Sequence, residues 1–387
     1  MKTLLAVVAI LYSVILSAQE RITLLFVGDL MQHQAQIDAA RTPQGTYDYS
    51  PCFSLVKEQI AQADIVIGNL EVTLGGRPYK GYPAFSAPDE YLKAIKDAGF
   101  DILLTANNHC LDRRKQGLER TLLMLDSLNI PHAGTYRDSA DRKSSYPLII
   151  EKKGFRIALL NYTYGTNGIP TTTPNIVNRI DKTVMQNDIR RAKTYRPDAI
   201  IACMHWGDEY QRLPNNEQRS LADWLLQQGV THIIGSHPHV VQPMELRTNG
   251  TQQHVIVYSL GNFISNMSAP NTDGGLIFTL ELEKYPLRCH PIPPSSFELS
   301  SRKPHPSQLT PYPYCKVKKC SYNLVWTIPP RYSHTKNFVL HPVGLPADLL
   351  PEEARKRLKI FVDNTRSLLQ KHNIGIGAVS YTHLTLP

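Results

Sequence analysis

Five short stretches of this chain carry side chains that suit metal chemistry. They are Gly28-Asp29, Asn69-Leu70-Glu71, Asn107-Asn108-His109, His205-Trp206-Gly207 and Gly235-Ser236-His237-Pro238-His239. Together they offer two carboxylates, an amide and four imidazoles, Asp29, Glu71, Asn108, His109, His205, His237 and His239. That oxygen-and-nitrogen set suits Zn, Mn, Fe or Ni better than Ca. Each residue alone has an ordinary explanation. Asp29 can cap a helix, Glu71 can be a solvated surface carboxylate, Asn108 can sit in a turn, and His205 can be a buried histidine satisfied by hydrogen bonds. The His-Pro-His triplet is harder to explain away, because a rigid proline holds two imidazoles in one tight turn. What gives the set its meaning is that every stretch follows an apolar run of strand length, and ligands of α/β sheets gather at the carboxyl ends of strands.

The elements that would position these groups can be read from hydrophobic patterning. Strand-like runs span Ile22 to Leu30, Ile65 to Leu70, Ile102 to Ala106, Ala199 to Met204, His232 to Gly235, Val255 to Leu260 and Gly275 to Leu282. Pro147 to Ile150 and Phe155 to Leu160 flank Lys152-Lys153-Gly154 and read as a hairpin. Helical spacing appears in Leu55 to Ala63, Tyr91 to Ala98, Leu118 to Leu128, Val184 to Ala192 and Gln218 to Gln228. Alternation of this kind predicts an α/β protein with a mainly parallel, helix-covered sheet, and a meander-like second sheet from the later strands. There is no internal repeat.

With 387 residues the chain can build a large core without staples. Met1-Lys2-Thr3, the apolar run Leu4 to Leu16 and the small pair Ser17-Ala18 read as a secretory signal peptide over residues 1–18. The run is short of the roughly 20 apolar residues that cross a bilayer, and no cysteine marks a lipid-anchored start. The expectation is therefore an exported protein, periplasmic or extracellular and soluble once the signal peptide is removed. Residues 19–284 form the main domain, 285–313 a proline- and serine-rich linker or insertion, and 314–377 two strands and a charged helix from Glu352 to about His372. Residues 378–387 match neither periodicity and read as a non-native tail. The six cysteines are scattered, so no disulfide framework is needed. Cys315 and Cys320 are near enough in sequence to pair, whereas Cys110 and Cys203 read as small packed residues.

The formal charge of +9 is unevenly placed: from Glu281 onward 15 Lys and Arg face 7 Asp and Glu, a surplus of 8. The remainder is nearly neutral, which argues against a nucleic-acid-binding surface there, and no nucleic-acid partner is expected. The basic C-terminal third reads as a solvated face, with attraction to an anionic polymer or envelope surface as the other reading.

The order Gly-Asp, Asn-Leu-Glu, Asn-Asn-His with Asp112 three residues later, His-Trp-Gly and Ser-His-Pro-His, followed by Ser259-Leu260-Gly261-Asn262-Phe263, resembles the bacterial capsule-synthesis CapA family. That family is a branch of the calcineurin-like metallophosphatase superfamily, and the resemblance runs from about Ile22 to Leu282. It implies a four-layer α/β/β/α sandwich, two divalent metal ions, and work on poly-γ-glutamate or another anionic capsule polymer, with membrane-bound capsule synthesis or export components as further partners. Carried over residue by residue, Asp29 and His239 hold the first metal, Glu71 bridges both, and Asn108, His205 and His237 hold the second. His109 becomes the proton donor or charge stabiliser. Asp112 either orients His109 or caps the helix beginning near Gln116. Two departures stand out. Met31 occupies the position where metallophosphatases carry a histidine, and a thioether is a poor substitute on a hard metal site. The bridging residue, normally aspartate, is the longer Glu71. His33 is close enough in sequence to contribute, although a solvent-facing role suits it better. The activity expected is metal-assisted hydrolysis of a γ-linked glutamate amide or, second, a phosphoester; the rival from another class is a non-catalytic accessory that holds polymer during export.

Overall fold

The computed structural model describes residues 20–250, 252–285, 314–348 and 350–379. The signal-peptide segment, the proline- and serine-rich stretch from residue 286 to 313 and the tail beyond residue 379 lie outside the described residues. In chain order the strands are β1 (Arg21–Leu30), β2 (Ile65–Leu70), β3 (Ile102–Leu104), β4 (His132–Ala133), β5 (Thr135–Tyr136), β6 (Leu148–Lys152), β7 (Phe155–Thr163), β8 (Ile176–Val177), β9 (Ala199–His205), β10 (His232–Ser236), β11 (Met244–Asn249), β12 (Gln252–Val257), β13 (Asn262–Ile264), β14 (Gly274–Tyr285), β15 (Tyr314–Ile328), β16 (Val339–Pro342) and β17 (Gly377–Ala378). The α-helices are α1 (Gln34–Ala40), α2 (Lys57–Ile60), α3 (Asp89–Asp97), α4 (Arg114–Ser127), α5 (Ser139–Ser145), α6 (Lys182–Thr194), α7 (Asn216–Gln228) and α8 (Glu352–His372).

Two sheets stack face to face. The first runs β16-β15-β14-β1-β2-β3-β4, with β13 beside β1 and β17 beside β15; the second runs β11-β12-β10-β9-β7-β6. Strands β1 to β4 are parallel, as are β7, β9, β10 and β12. Their sequences are near-continuous apolar runs because both faces are covered. In β1, Ile22, Leu24 and Phe26 point between the sheets, where they meet Ile157, Leu159, Ile201, Cys203, Val255 and Val257. Their neighbours Leu25 and Val27 face outward onto Ile60, Leu92, Ile95 and Leu125 of α2, α3 and α4. On the far side, Leu160, Ala202 and Ile233 meet Met185 and Ile189 of α6 and Ala222 and Leu225 of α7. The result is the expected four-layer α/β/β/α sandwich.

Local signals set the helix ends. The Asp181 side chain accepts from the Thr183 and Val184 amides at the start of α6, and Asn215 with Gln218 forms a capping box at α7, which stops at Gly229 with φ 96°. The β6–β7 hairpin turns on Lys153 and Gly154, with φ 49° and 77°, the signs a type I′ turn requires.

One sequence expectation needs correction. The later strands do not make a second meander sheet of their own: β14, β15 and β16 do run as an antiparallel meander, but β14 docks against β1 and so extends the first sheet. Parallel β10 and β12 build the second sheet instead. The physical reason is the apolar face of β14, whose Leu276, Phe278, Leu280 and Leu282 all join the inter-sheet core. The charged helix α8 adds Ala354, Leu358, Phe361 and Leu369 to the same cluster. Residue Ala378, taken from the sequence as the start of a tail, lies in β17 and pairs with Tyr322 of β15. Cys52, Cys110, Cys203, Cys315 and Cys320 are free thiols, and no helix among the described residues is long and apolar enough to cross a membrane.

Candidate metal centre

The parallel strands of both sheets end on one rim. Asp29 is the penultimate residue of β1, Glu71 follows β2, Asn107 to His109 follow β3, His205 ends β9, and His237 and His239 follow β10. A bulge aims the first of these. The β1–β2 register skips at Gly28, and a Cβ there would lie 1.8 Å from the Gly261 carbonyl oxygen, so only glycine lets β1 pass that close. The Asp29 amide then donates to the same carbonyl at 3.1 Å, and Asp29 lies in register with Asn262 of β13. Bulges beside functional sites commonly re-aim one side chain in this way.

Asp29, Glu71, Asn108, His109, His205, His237 and His239 are all buried, none more than 3 % exposed. Asp29, Glu71 and His239 offer ligand atoms within 4.8 Å of one another, and so do Glu71, His205 and His237. Glu71 is common to both groups. His205 Nε2 lies 3.5 Å from Glu71 Oε1 and 2.8 Å from Asn108 Oδ1, which brings the amide into the second group. His239 Nδ1 lies 3.3 Å from Asp29 Oδ2 and 3.0 Å from Asn262 Oδ1. His237 and His239 have φ values of 100° and 58°, costly for residues with a Cβ and frequent where function holds the backbone.

Several of these atoms have no partner in the protein. Both carboxylate oxygens of Glu71, Asp29 Oδ2 and His237 Nδ1 are buried without a hydrogen bond. A buried carboxylate left alone is expensive, and burial together with the Asp29 carboxylate pushes the Glu71 acid well above its ordinary range. Burial and the neighbouring imidazoles push His205 well down and His237 down to about 3. On His239, burial opposes the charge, but the nearby Asp29 carboxylate and the Asn262 side-chain oxygen prevail and raise it. Orphaned carboxylate oxygens facing neutral imidazole nitrogens fit a divalent cation, which takes deprotonated carboxylates and uncharged histidines.

The rest of the set sits around this centre. The carboxylate of Asp112 accepts from the Phe85 amide at 2.9 Å and lies 2.8 Å from His109 Nδ1. Helix α4 begins at Arg114 with no side-chain cap; the Asp112 carboxylate contacts the His109 ring and the Phe85 amide and makes no hydrogen bond to the start of the helix. Met31 points away, into the outer core with Leu30 and Tyr91. His33 is half-buried, against the solvent-facing expectation; it caps α1 with Gln36 and packs edge-on against Phe85.

Sequence reasoning missed four participants. Asn69 donates to Asp29 Oδ1 at 2.7 Å, and Asn107 donates to the Leu70 carbonyl at 2.8 Å while its own oxygen accepts from the His109 amide. Tyr164 packs at a tilt against His237 with ring centroids 4.4 Å apart. Glu209, exposed, joins His237 and His239 in a third group within 4.8 Å. Position beside a named motif was the available signal for Asn69, Asn107 and Glu209, while Tyr164 had none.

The buried imidazoles fix a pH dependence. Burial lowers His232 and His237 to about 3 and His33 and His341 to about 4, against roughly 6.5 in an unfolded chain. The unfolded chain therefore binds more protons as pH falls below that value, and stability present above it is lost towards pH 4. Raised Glu71 and His239 act in the opposite sense but are outnumbered. The melting temperature of metal-stripped protein should fall steadily from pH 7 to 4; a flat or rising profile would contradict neutral burial of these rings.

Residues 23–267 match the family described as "Bacterial capsule synthesis protein PGA_cap". The capsule biosynthesis protein CapA of Bacillus anthracis is 28% identical over 302 residues, covering 75% of this chain and 71% of that protein. The PGA biosynthesis protein CapA of Bacillus subtilis (strain 168) is 32% identical over 269 residues, 67% of each chain. Among solved structures, the NAD nucleotidase NadN of Haemophilus influenzae aligns at 12% identity with a TM-score of 0.46, covering 94% of this chain and 65% of that one. With the family matched across most of its length, this chain belongs to the bacterial capsule synthesis proteins of the CapA type.

Proposed function

We propose that this protein is an exported, metal-dependent hydrolase of capsule biosynthesis or processing that acts on an anionic polymer, with the γ-linked glutamate amide as the bond cut. The observation that carries the reading is Glu71: a fully buried carboxylate with neither oxygen hydrogen-bonded, shared by two groups of ligand atoms. Asp29, Glu71 and His239 would hold one divalent ion and Glu71, Asn108, His205 and His237 the other, of Zn, Mn, Fe or Ni type. Such ions supply an activated water and neutralise developing negative charge.

The chain's own groups do the rest. His109 carries its Nδ1 proton towards Asp112, which fixes the ring and stabilises the imidazolium; Nε2 is then the atom that gives a proton to the departing amine. The Phe85 amide holds Asp112 still. Asn69 restrains Asp29, and Ser236 Oγ lies 3.1 Å from His205 Nδ1, so the ligands are oriented from behind. Export rests on the N-terminal apolar run, and partnership with membrane-bound capsule components on the family.

The test is elemental analysis of the purified protein with an assay on poly-γ-glutamate and on a generic phosphodiester. The expected result is bound divalent metal and polymer cleavage that chelator abolishes. Cleavage of the phosphodiester alone would make it a phosphoesterase, and metal-loaded protein that binds polymer but cuts neither would make it a polymer-holding accessory.

A further inference from the structure

We infer that Glu209 is an additional metal ligand, reaching the centre from its open side and supplying the donor that Met31 cannot; this rests on the metal reading above. The loop after β9 runs His205-Trp206-Gly207-Asp208-Glu209-Tyr210, and the sharp turn at Gly207, φ 90°, brings it back over the rim, where the Tyr210 amide donates to the Pro238 carbonyl at 2.8 Å. That bond fixes Glu209 beside the His237-Pro238-His239 turn. Its carboxylate lies within 4.8 Å of ligand atoms of both histidines.

Two further observations point at an ion there. His237 Nδ1 is buried and has no hydrogen-bond partner, although it sits on a ring only 2 % exposed. Met31, in the position where an imidazole was expected, is turned into the outer core, so the Asp29 and His239 side of the centre is one donor short. A carboxylate oxygen is a suitable replacement on a hard cation. It differs from the missing imidazole in two ways: it carries a charge, so two divalent ions would face three carboxylates, and its stem is exposed, so it can be displaced by an incoming anionic group. Glu209 thereby favours substrates whose own oxygen can take its place.

The adjacent Asp208 provides a matched control. Its carboxylate accepts from the Asn215 side chain at 2.8 Å and belongs to none of the ligand groups among the described residues. Metal-stripped wild type, Glu209→Gln and Asp208→Asn would each be titrated with Mn(II), and their Co(II) forms compared by visible absorption. Glu209→Gln should raise the dissociation constant of the weaker ion by at least about 10-fold, the loss seen when even groups behind the ligands are removed, and should change the Co(II) spectrum. Asp208→Asn should do neither. Equal affinity and an unchanged spectrum in Glu209→Gln, with wild type binding metal, would reduce Glu209 to a bystander and leave the metal reading intact. An equal loss in Asp208→Asn would assign the effect to surface charge and overturn ligation. Wild type that binds neither ion would remove the metal reading and this inference with it.

Discussion

Replacing Glu71 with leucine should empty the centre of metal while making the metal-free protein more stable. Glu71 is the residue common to both groups of candidate ligand atoms, so on the proposed reading its removal would deprive both ions at once, and metal content should drop from the wild-type value to near zero. The second effect has the opposite sign. In the metal-free chain the Glu71 carboxyl is fully buried with both oxygens unpaired, a situation worth about 1 to 3 kcal/mol of lost stability. An apolar side chain of similar size removes that cost. Calorimetry of the two stripped proteins should show a higher melting temperature for Glu71→Leu. Retained metal would show that Glu71 is no shared ligand, and a lower melting temperature would show that its carboxyl has a stabilising partner.

His109→Ala should separate chemistry from binding. The ring is held by Asp112 through Nδ1 and packs edge-on against Phe85 at 4.7 Å, and it belongs to none of the ligand groups among the described residues. Metal content should survive the substitution while turnover falls by roughly 10²- to 10⁴-fold, the usual contribution of a positioned proton donor. His237→Ala should instead lose metal and turnover together. If His109→Ala also loses metal, the ring is a ligand and the assigned division of work is wrong.

Most of what positions the centre was legible because it is written in runs. Ile65 to Leu70 and Ala199 to His205 are buried on both faces, so the apolar runs Ile65 to Gly68 and Ala199 to Met204 announce themselves, and the polar residue that follows each run marks the rim. Helix α8 was equally plain from its charged ends and its spacing. What failed was pairing. Nothing local in Gly274 to Tyr285 says whether an antiparallel strand adds to one sheet or begins another, because the partner is Arg21 to Val27, some 250 residues away in the chain. Short helices such as α1 and α5, of seven residues each, offer barely two turns of periodicity.

The same distinction runs through the site. Asp29, Glu71 and the histidines could be found by type and by place in a strand-end motif. The choice for Asp112 between capping and orienting could not be made, since both need only a carboxylate a few residues before a helix; the decision lies in Phe85, whose amide reaches back from another loop. Asn69 holds Asp29 from the neighbouring strand β2 and Asn262 holds His239 from β13 of the other sheet, and asparagines are too common at strand ends to be singled out by sequence.

The distribution of the ligands over the architecture has a mechanical side. Asp29, Glu71 and Asn108 belong to the first sheet and its loops, while His205, His237 and His239 belong to the second. Any ion they hold is therefore a clasp between two slabs that otherwise meet through greasy, non-directional contacts. Sliding or hinging of one slab by an ångström would pull the two halves of the coordination shell apart, so grip on the ion and alignment of the sandwich are one and the same variable. Whatever loosens that rim, whether acid, chelator or a mutation far down β1, acts on the chemistry through the geometry of the whole stack.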